Sequence, residues 1–176
     1  MITMRAETDD DIDAIHDVVA AAFGAEAEAE LVAKIRASEN FVAAWSLVAV
    51  EGDDVVGHVM VSYVALVDDD GQRRVASLSP LAVAPAQQGT GIGSALVRAV
   101  AALVDDAGEP LIVLEGDPRY YSRFGFEFAP KYGIQIHLPS WAPPEAAQVL
   151  RLRNYDARLK GEVVYPPAFD DVTDAS

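Results

Sequence analysis

The chain of 176 residues contains no cysteine. That excludes disulfide scaffolds, thiolate nucleophiles, zinc–sulfur sites and iron–sulfur clusters. Lysine is nearly as scarce, standing only at 34, 131 and 160, and every other basic side chain is arginine. No window reaches the roughly 18 apolar residues a membrane-spanning helix needs. The opening Met1-Ile2-Thr3-Met4-Arg5-Ala6-Glu7 has no basic stretch followed by an apolar run, so no secretory signal is expected and the expected compartment is cytoplasmic. His and Asp do not recur at metal-ligand intervals, so no metal site is expected.

What the chain has in excess is acid. Asp and Glu number 28 against 13 Lys and Arg, a net charge of −15. This field repels nucleic-acid backbones and anionic lipid surfaces, so neither nucleic acid nor membrane is an expected partner, and it draws cationic molecules inward. An acid excess with abundant Ala, Asp and Val fits a GC-rich genome or adaptation to high salt, and composition does not separate the two. At 51% hydrophobic residues the chain buries a substantial core, and its length fits a single domain over 1–176.

Hydrophobic period places the elements. Residues 2–5 form a strand, and Thr8 or Asp9 caps a helix with an acidic first turn, the sign the helix dipole favours. Ile12, Ile15, Val18, Val19 and Ala22 recur at helical spacing, and a second helix over 26–37 carries Leu31, Val32 and Ile35. Residues 46–50 and the Val-rich 55–67 are strands around a turn at 51–54, and a turn at 68–71 leads into a strand over 75–83. Pro80 removes a donor from that strand, which predicts a break at Ser79-Pro80-Leu81. A helix follows with Ile92, Leu96, Val100 and Leu103 as its buried stripe and Ala95, Ala99 and Ala102 for close packing. Residues 111–114 are a buried strand, 119–124 a short helix ended by Gly125, and 126–128 the start of another strand. Two further strands are expected over 148–153 and 162–165, and a frayed acidic end over 170–176.

The informative stretch is the strand, loop and helix over 81–104. Gly89, Gly91 and Gly93 let backbone approach a ligand at a helix start, where free N–H groups and the dipole favour an anion such as a pyrophosphate. A P-loop is rejected, because Ser94-Ala95 follows Gly93 in place of Lys-Ser/Thr. A dinucleotide fingerprint wants Gly or Ala where Ser94 stands, and two βα halves where the chain supplies one. The pattern Gln/Arg-x-x-Gly-x-Gly/Ala is met by Gln88-Gly89-Thr90-Gly91-Ile92-Gly93. With this loop and the preceding Leu81-Ala82-Val83-Ala84-Pro85, the chain resembles the GNAT superfamily of acetyl-CoA-dependent N-acetyltransferases.

The resemblance implies a fold, a donor and a site. The fold is α/β (α+β), a mixed, mostly antiparallel sheet splayed at strand 4 with helices on both faces. Acetyl-CoA is the implied acetyl donor. Gln88, Gly89, Thr90, Gly91, Ile92, Gly93 and Ser94 would hold its pyrophosphate, and Leu81, Ala82 and Val83 would meet its pantetheine arm. A second segment, Tyr121-Ser122-Arg123-Phe124-Gly125-Phe126, is similar to the family's Tyr-x-x-x-Gly-Phe, whose tyrosine faces the thioester sulfur. By that spacing Tyr121 is the implied general acid, with Tyr120 as the alternative ring. The doubled tyrosine, Gly57-His58 and GEVVYPPAF at 161–169 are similar to the YhbS-like branch of small bacterial acetyltransferases.

Amine attack on a thioester needs a neutral amine, donors for the developing oxyanion and a proton for the leaving thiolate. Freeing a lysine-like amine of pKa about 10.4 at pH 7 costs about 4.6 kcal/mol, whereas an α-amine near 8 needs far less help. A thiol near 8.5 accepts a proton from a tyrosine near 10 with a small uphill step. Backbone N–H groups of Leu81 or Val83 are the oxyanion donors, and His58 and Glu115 are both candidate bases. Glu26, Glu28 and Glu30 either line the amine entrance or form a solvated helix face. Arg119 and Arg123 either hold coenzyme phosphates or pair with surface acids. The expected acceptor is a small-molecule or peptide amine, cationic by the charge argument. Without cysteine, a direct ternary complex replaces an acetyl-thiol intermediate. The rival reading is a non-catalytic acyl-CoA-binding sensor. A homodimer is compatible with the sequence, which selects no stoichiometry.

Overall fold

Valine at alternate and adjacent positions through 54–68 favours extended backbone, and the resulting strand is 15 residues long. In the computed structural model, which describes residues 1–173, the elements in chain order are β1 (Ile2–Ala6), α1 (Ile12–Phe23), α2 (Ala27–Arg36), β2 (Phe41–Glu51), β3 (Asp54–Asp68), β4 (Gly71–Val83), α3 (Ile92–Asp106), β5 (Leu111–Glu115), α4 (Pro118–Tyr121), β6 (Glu127–Phe128), β7 (Ile134–Gln135), β8 (Ala147–Arg151), β9 (Gly161–Val164) and α5 (Asp170–Thr173). They fall into two compact units: Met1–Ser62 with Leu78–Leu103, and Tyr63–Ser77 with the chain from Val104.

In the first unit β1 pairs antiparallel with β2, and β2 with β3. The chain enters α1 through a capping box in which Thr8 and Asp11 satisfy each other's backbone and side-chain groups. Arg5 grips the same Asp11 carboxylate at 2.6 and 2.9 Å. Ile15 and Val19 of α1, Leu31, Val32 and Ile35 of α2, Val48, Val59 and Val61 of the strands and Leu96 and Val100 of α3 form the core. Each such side chain contributes roughly 1.5–3 kcal/mol by leaving water.

In the second unit β5 pairs antiparallel with β8, β8 with β6, and β9 with β3, while β4 pairs parallel with β5 and β7 with β9. The sheet is therefore mixed and mostly antiparallel. Its core holds Val104, Leu111, Ile112, Val113, Leu114, Phe126, Ile134, Val149 and Val163.

Several expectations need correction. The break in the sheet expected at Ser79-Pro80-Leu81 falls in the pairing and not in the strand: β4 runs on through Pro80, because proline's fixed φ already lies within the extended range and only its donor is missing. What stops is the parallel ladder to β5, which covers Ala76↔Ile112 and Ser77↔Val113, short of the cis Ser79–Pro80 peptide. The buried stripe of α3 ends on Val104, fully buried, whereas Leu103 is 40% exposed and Ala102 also faces water. Seven residues at about 100° each bring Val104 to within about 20° of the fully buried Val97, so Val104, not Leu103, completes the stripe. β2 starts at Phe41, five residues before the expected 46: Phe41 pairs with Ser62, and the strand bulges before Ser46 rejoins the ladder opposite Met60. The expected frayed end forms a helical turn over Asp170–Thr173, and its last residues, 174–176, lie outside the described residues.

Candidate active site

In the first unit, the chain leaves β4 through a 3-10 turn over Pro85–Gln87 and enters α3 through the glycine-rich loop. Gly89 and Gly91 take φ of 80° and 93°, which side chains with a Cβ avoid, and open space surrounds the Cβ position of each. The loop is braced from inside: Thr90 Oγ1 donates to the Gln87 carbonyl at 2.5 Å and Gln88 Nε2 to the Val83 carbonyl at 3.1 Å. Ala95 N–H to Gly91 O, 3.0 Å, is the first bond of the α3 ladder. Amides ahead of it therefore point out of the helix start, where the dipole is positive. An exposed, Cβ-free, positively polarised backbone fits a pyrophosphate. Leu81 and Val83 are half-buried and Ala82 is buried at the end of β4.

In the second unit, β5 delivers Glu115 and Gly116 directly to α4. Asp117 caps that helix by accepting from Arg119 N–H at 2.9 Å. A Cβ on Gly116 would lie 2.5 Å from Tyr121 Cε2, so this position is glycine because the Tyr121 ring rests on it. Tyr120, Phe126 and Phe124 surround the same ring at centroid distances of 4.9, 5.7 and 6.3 Å. Burial, with the neighbouring Tyr120 phenol, pushes the Tyr121 hydroxyl well above the ordinary phenol range. Partial burial likewise pushes the Glu115 carboxyl up, against the downward pull of a hydrogen bond from Tyr165. The structure thus brings Glu115, Gly116 and Tyr121 together and adds Tyr165, which sequence reading met only inside the GEVVYPPAF segment.

His58 belongs to a different constellation. It is fully buried, with Nε2 3.0 Å from Ser46 Oγ and 3.4 Å from Glu7 Oε2. Ser46 Oγ spends its hydrogen on Glu7 Oε2 at 2.5 Å, so it accepts from His58 and the imidazole carries its proton on Nε2. Arg36 grips both oxygens of Glu7, Nε donating to Oε1 at 2.6 Å and Nη2 to Oε2 at 3.1 Å. Burial pulls His58 below its ordinary value. Burial pushes Glu7 up, but bonds from His58, Arg36 and Ser46 outweigh it and hold the carboxyl at about 2. His58 is a neutral, enclosed group whose Nδ1 has no partner among the described residues. Nothing in the spacing of Glu7, Arg36, Ser46 and His58 announces this network, because only the β1–β2–β3 pairing and α2 assemble it.

The remaining candidates take local partners. Arg119 chelates Asp117 at 3.2 and 3.1 Å, and Arg123 donates to the Tyr120 carbonyl at 3.1 Å while stacking on that ring at 4.5 Å. Glu26 pairs with His16 at 2.6 Å, and Glu162 with His137. Among the described residues no group of three or more His, Cys, Asp or Glu is arranged to hold a metal ion, and no helix is long and apolar enough to cross a membrane.

Residues 3–129 match the acetyltransferase (GNAT) domain family. The N-acetyltransferase YhbS of Escherichia coli K12 is 33% identical over 150 residues, covering 85% of this chain and 86% of that protein. Its crystal structure in complex with CoA superposes with a TM-score of 0.85 at 30% identity, covering 96% of this chain and 92% of that one. A GNAT acetyltransferase from Brucella melitensis in complex with acetyl-CoA gives 0.77 at 32% identity, covering 97% and 99%. The chain is an acyltransferase and belongs to the GNAT family of N-acetyltransferases.

Proposed function

We propose that this enzyme, a single cytoplasmic N-acetyltransferase domain over 1–176, transfers the acetyl group of acetyl-CoA to a primary amine by direct attack in a ternary complex. The observation that carries the reading is the loop from Gln88 to Ser94, where Gly89 and Gly91 leave open, Cβ-free backbone at the start of α3 that suits a pyrophosphate; the CoA and acetyl-CoA carried by the two similar structures support it. Acetyl-CoA supplies the acetyl group as a thioester, so a C–N bond forms as the C–S bond breaks. Gln88, Gly89, Thr90, Gly91, Ile92, Gly93 and Ser94 hold the pyrophosphate. Leu81, Ala82 and Val83 offer backbone groups to the pantetheine arm, and the N–H of Leu81 or Val83 donates to the developing oxyanion.

Glu115 takes the ammonium proton, directly or through water, and its raised pKa brings it nearer the amine it serves. His58 is passed over for this role because it has no exposed surface to meet an amine. Tyr121 hands its phenolic proton to the departing sulfur. The acidic surface favours a cationic acceptor, small molecule or peptide.

The test is titration with acetyl-CoA by calorimetry, followed by thiol release across an amine panel. Binding with turnover on a cationic amine is expected. The absence of binding heat, or binding without turnover on every amine, overturns the reading.

A further inference from the structure

Gln148 is almost completely buried, at 1% exposure, in a strand whose neighbours Ala147 and Val149 are apolar. A primary amide in such a place costs about 1–3 kcal/mol wherever its hydrogen bonds are not made, and an aliphatic side chain would fill the space without that cost. Gln148 does make a bond: its Nε2 donates to the Gly116 carbonyl at 2.9 Å. The ladder between β5 and β8 has Leu114 opposite Gln148 and Glu115 opposite Ala147 as its last pairs. One residue further on, Gly116 N–H donates to the Ala146 carbonyl at 3.0 Å. Gly116 is thus held at both its N–H and its C=O by residues flanking Ala147, and only the carbonyl depends on a side chain.

Gly116 is the residue on which the Tyr121 ring rests. It also joins Glu115 to the helix that carries that ring. We infer that Gln148 is a positioning residue for proton delivery: by clamping the Gly116 carbonyl it fixes the seat of the Tyr121 ring, and so the place of the Tyr121 hydroxyl in the reaction. The inference rests on the reading of Tyr121 as the general acid. It concerns chemistry and not coenzyme affinity, because the groups assigned to the pyrophosphate belong to the 88–94 loop.

A double-mutant cycle tests it. Gln148→Met keeps the length of the side chain and removes the donor. It is expected to lower kcat by about 10²-fold, the scale of an ångström-sized misplacement, with the KM for acetyl-CoA little changed. In a Tyr121→Phe background the same substitution is expected to bring no further loss, since there is no proton left to misplace. Gln148→Glu serves as a second variant: its carboxyl donates to Gly116 only while protonated, so its activity relative to the parent should recover as pH falls. Losses that simply multiply in the double variant overturn the inference while leaving the acid role of Tyr121 intact. A Gln148→Glu enzyme as impaired as Gln148→Met at every pH also overturns it. A Tyr121→Phe enzyme with full turnover overturns the acid role and this inference together.

Discussion

A phenol that must hand a proton to a departing thiolate has to keep that proton throughout the working pH range. Tyr121 does so because its ring is enclosed by Gly116, Tyr120, Phe124 and Phe126, an environment that disfavours the phenolate and makes transfer to sulfur steeper than from an ordinary phenol. Tyr121→Phe keeps every ring contact and removes only the proton. It is expected to lower kcat by about 10²–10⁴-fold with little change in thermal midpoint, measured by steady-state thiol release and calorimetric melting. Tyr165 acts on the other proton. Its hydrogen bond lowers the pKa of a carboxyl that burial raises, so Tyr165→Phe should shift the acid limb of kcat/KM to higher pH. A pH profile from 4 to 9 measures this, and an unmoved limb would take Glu115 out of the role of base. The neighbourhood of Glu115 and Tyr121 was readable from residue order, whereas Gly116 as a ring seat was not, because nothing in sequence says which atoms approach a missing side chain.

At the scale of elements, the loop and helix from Gln88 onward combine two requirements, a backbone that side chains with a Cβ resist and a stripe that seals the helix into the core. Gly91→Val places a β-branched residue at φ 93°, a strain on the order of 1–3 kcal/mol. The expected result is a KM for acetyl-CoA raised at least tenfold, with the amine KM little changed in two-substrate kinetics. Along α3, Val104→Ala removes buried methyl groups and should cost about 2 kcal/mol, from roughly 0.8 per buried carbon plus a cavity contribution. Leu103→Ala, on the exposed side, should stay within about 0.5 kcal/mol. Urea denaturation of the two variants decides between the two faces. The sequence period marked this helix and its start correctly, but a three- or four-residue step is degenerate near a helix end, and packing alone chose Val104.

For the molecule as a whole, charge and buried ionisable groups set the conditions under which it stays folded. Glu7 is held at about 2 in the folded chain, below its ordinary value near 4.3. The unfolded chain therefore takes up the proton first, and the stability Glu7 lends is complete above about pH 4.5 and is lost as pH falls towards 2, an effect on the order of 3 kcal/mol. His58, also lowered, acts in the same direction at higher pH: its contribution is present above about 6.5 and wanes below it. Melting temperature should thus fall on acidification in two stages, and Glu7→Gln should flatten the lower one. With a net charge of −15, the parent chain should melt higher in molar KCl, where the Debye length shrinks to about 3 Å; a flat salt dependence would point to genome composition as the origin of the acid excess. By itself the sequence determined the family, the order of strands and helices apart from β7 and α5, and the two motifs, because these rest on local pattern: period, glycine spacing and a tyrosine four residues before Gly125. Only the tertiary structure decided that His58 is sealed against Ser46 and Glu7, that the carbonyl of Gly116 is held by Gln148, and that β4 runs through Pro80. The reason is physical: burial, desolvation and hydrogen-bond partnership are made by residues far apart along the chain, and no spacing rule carries them.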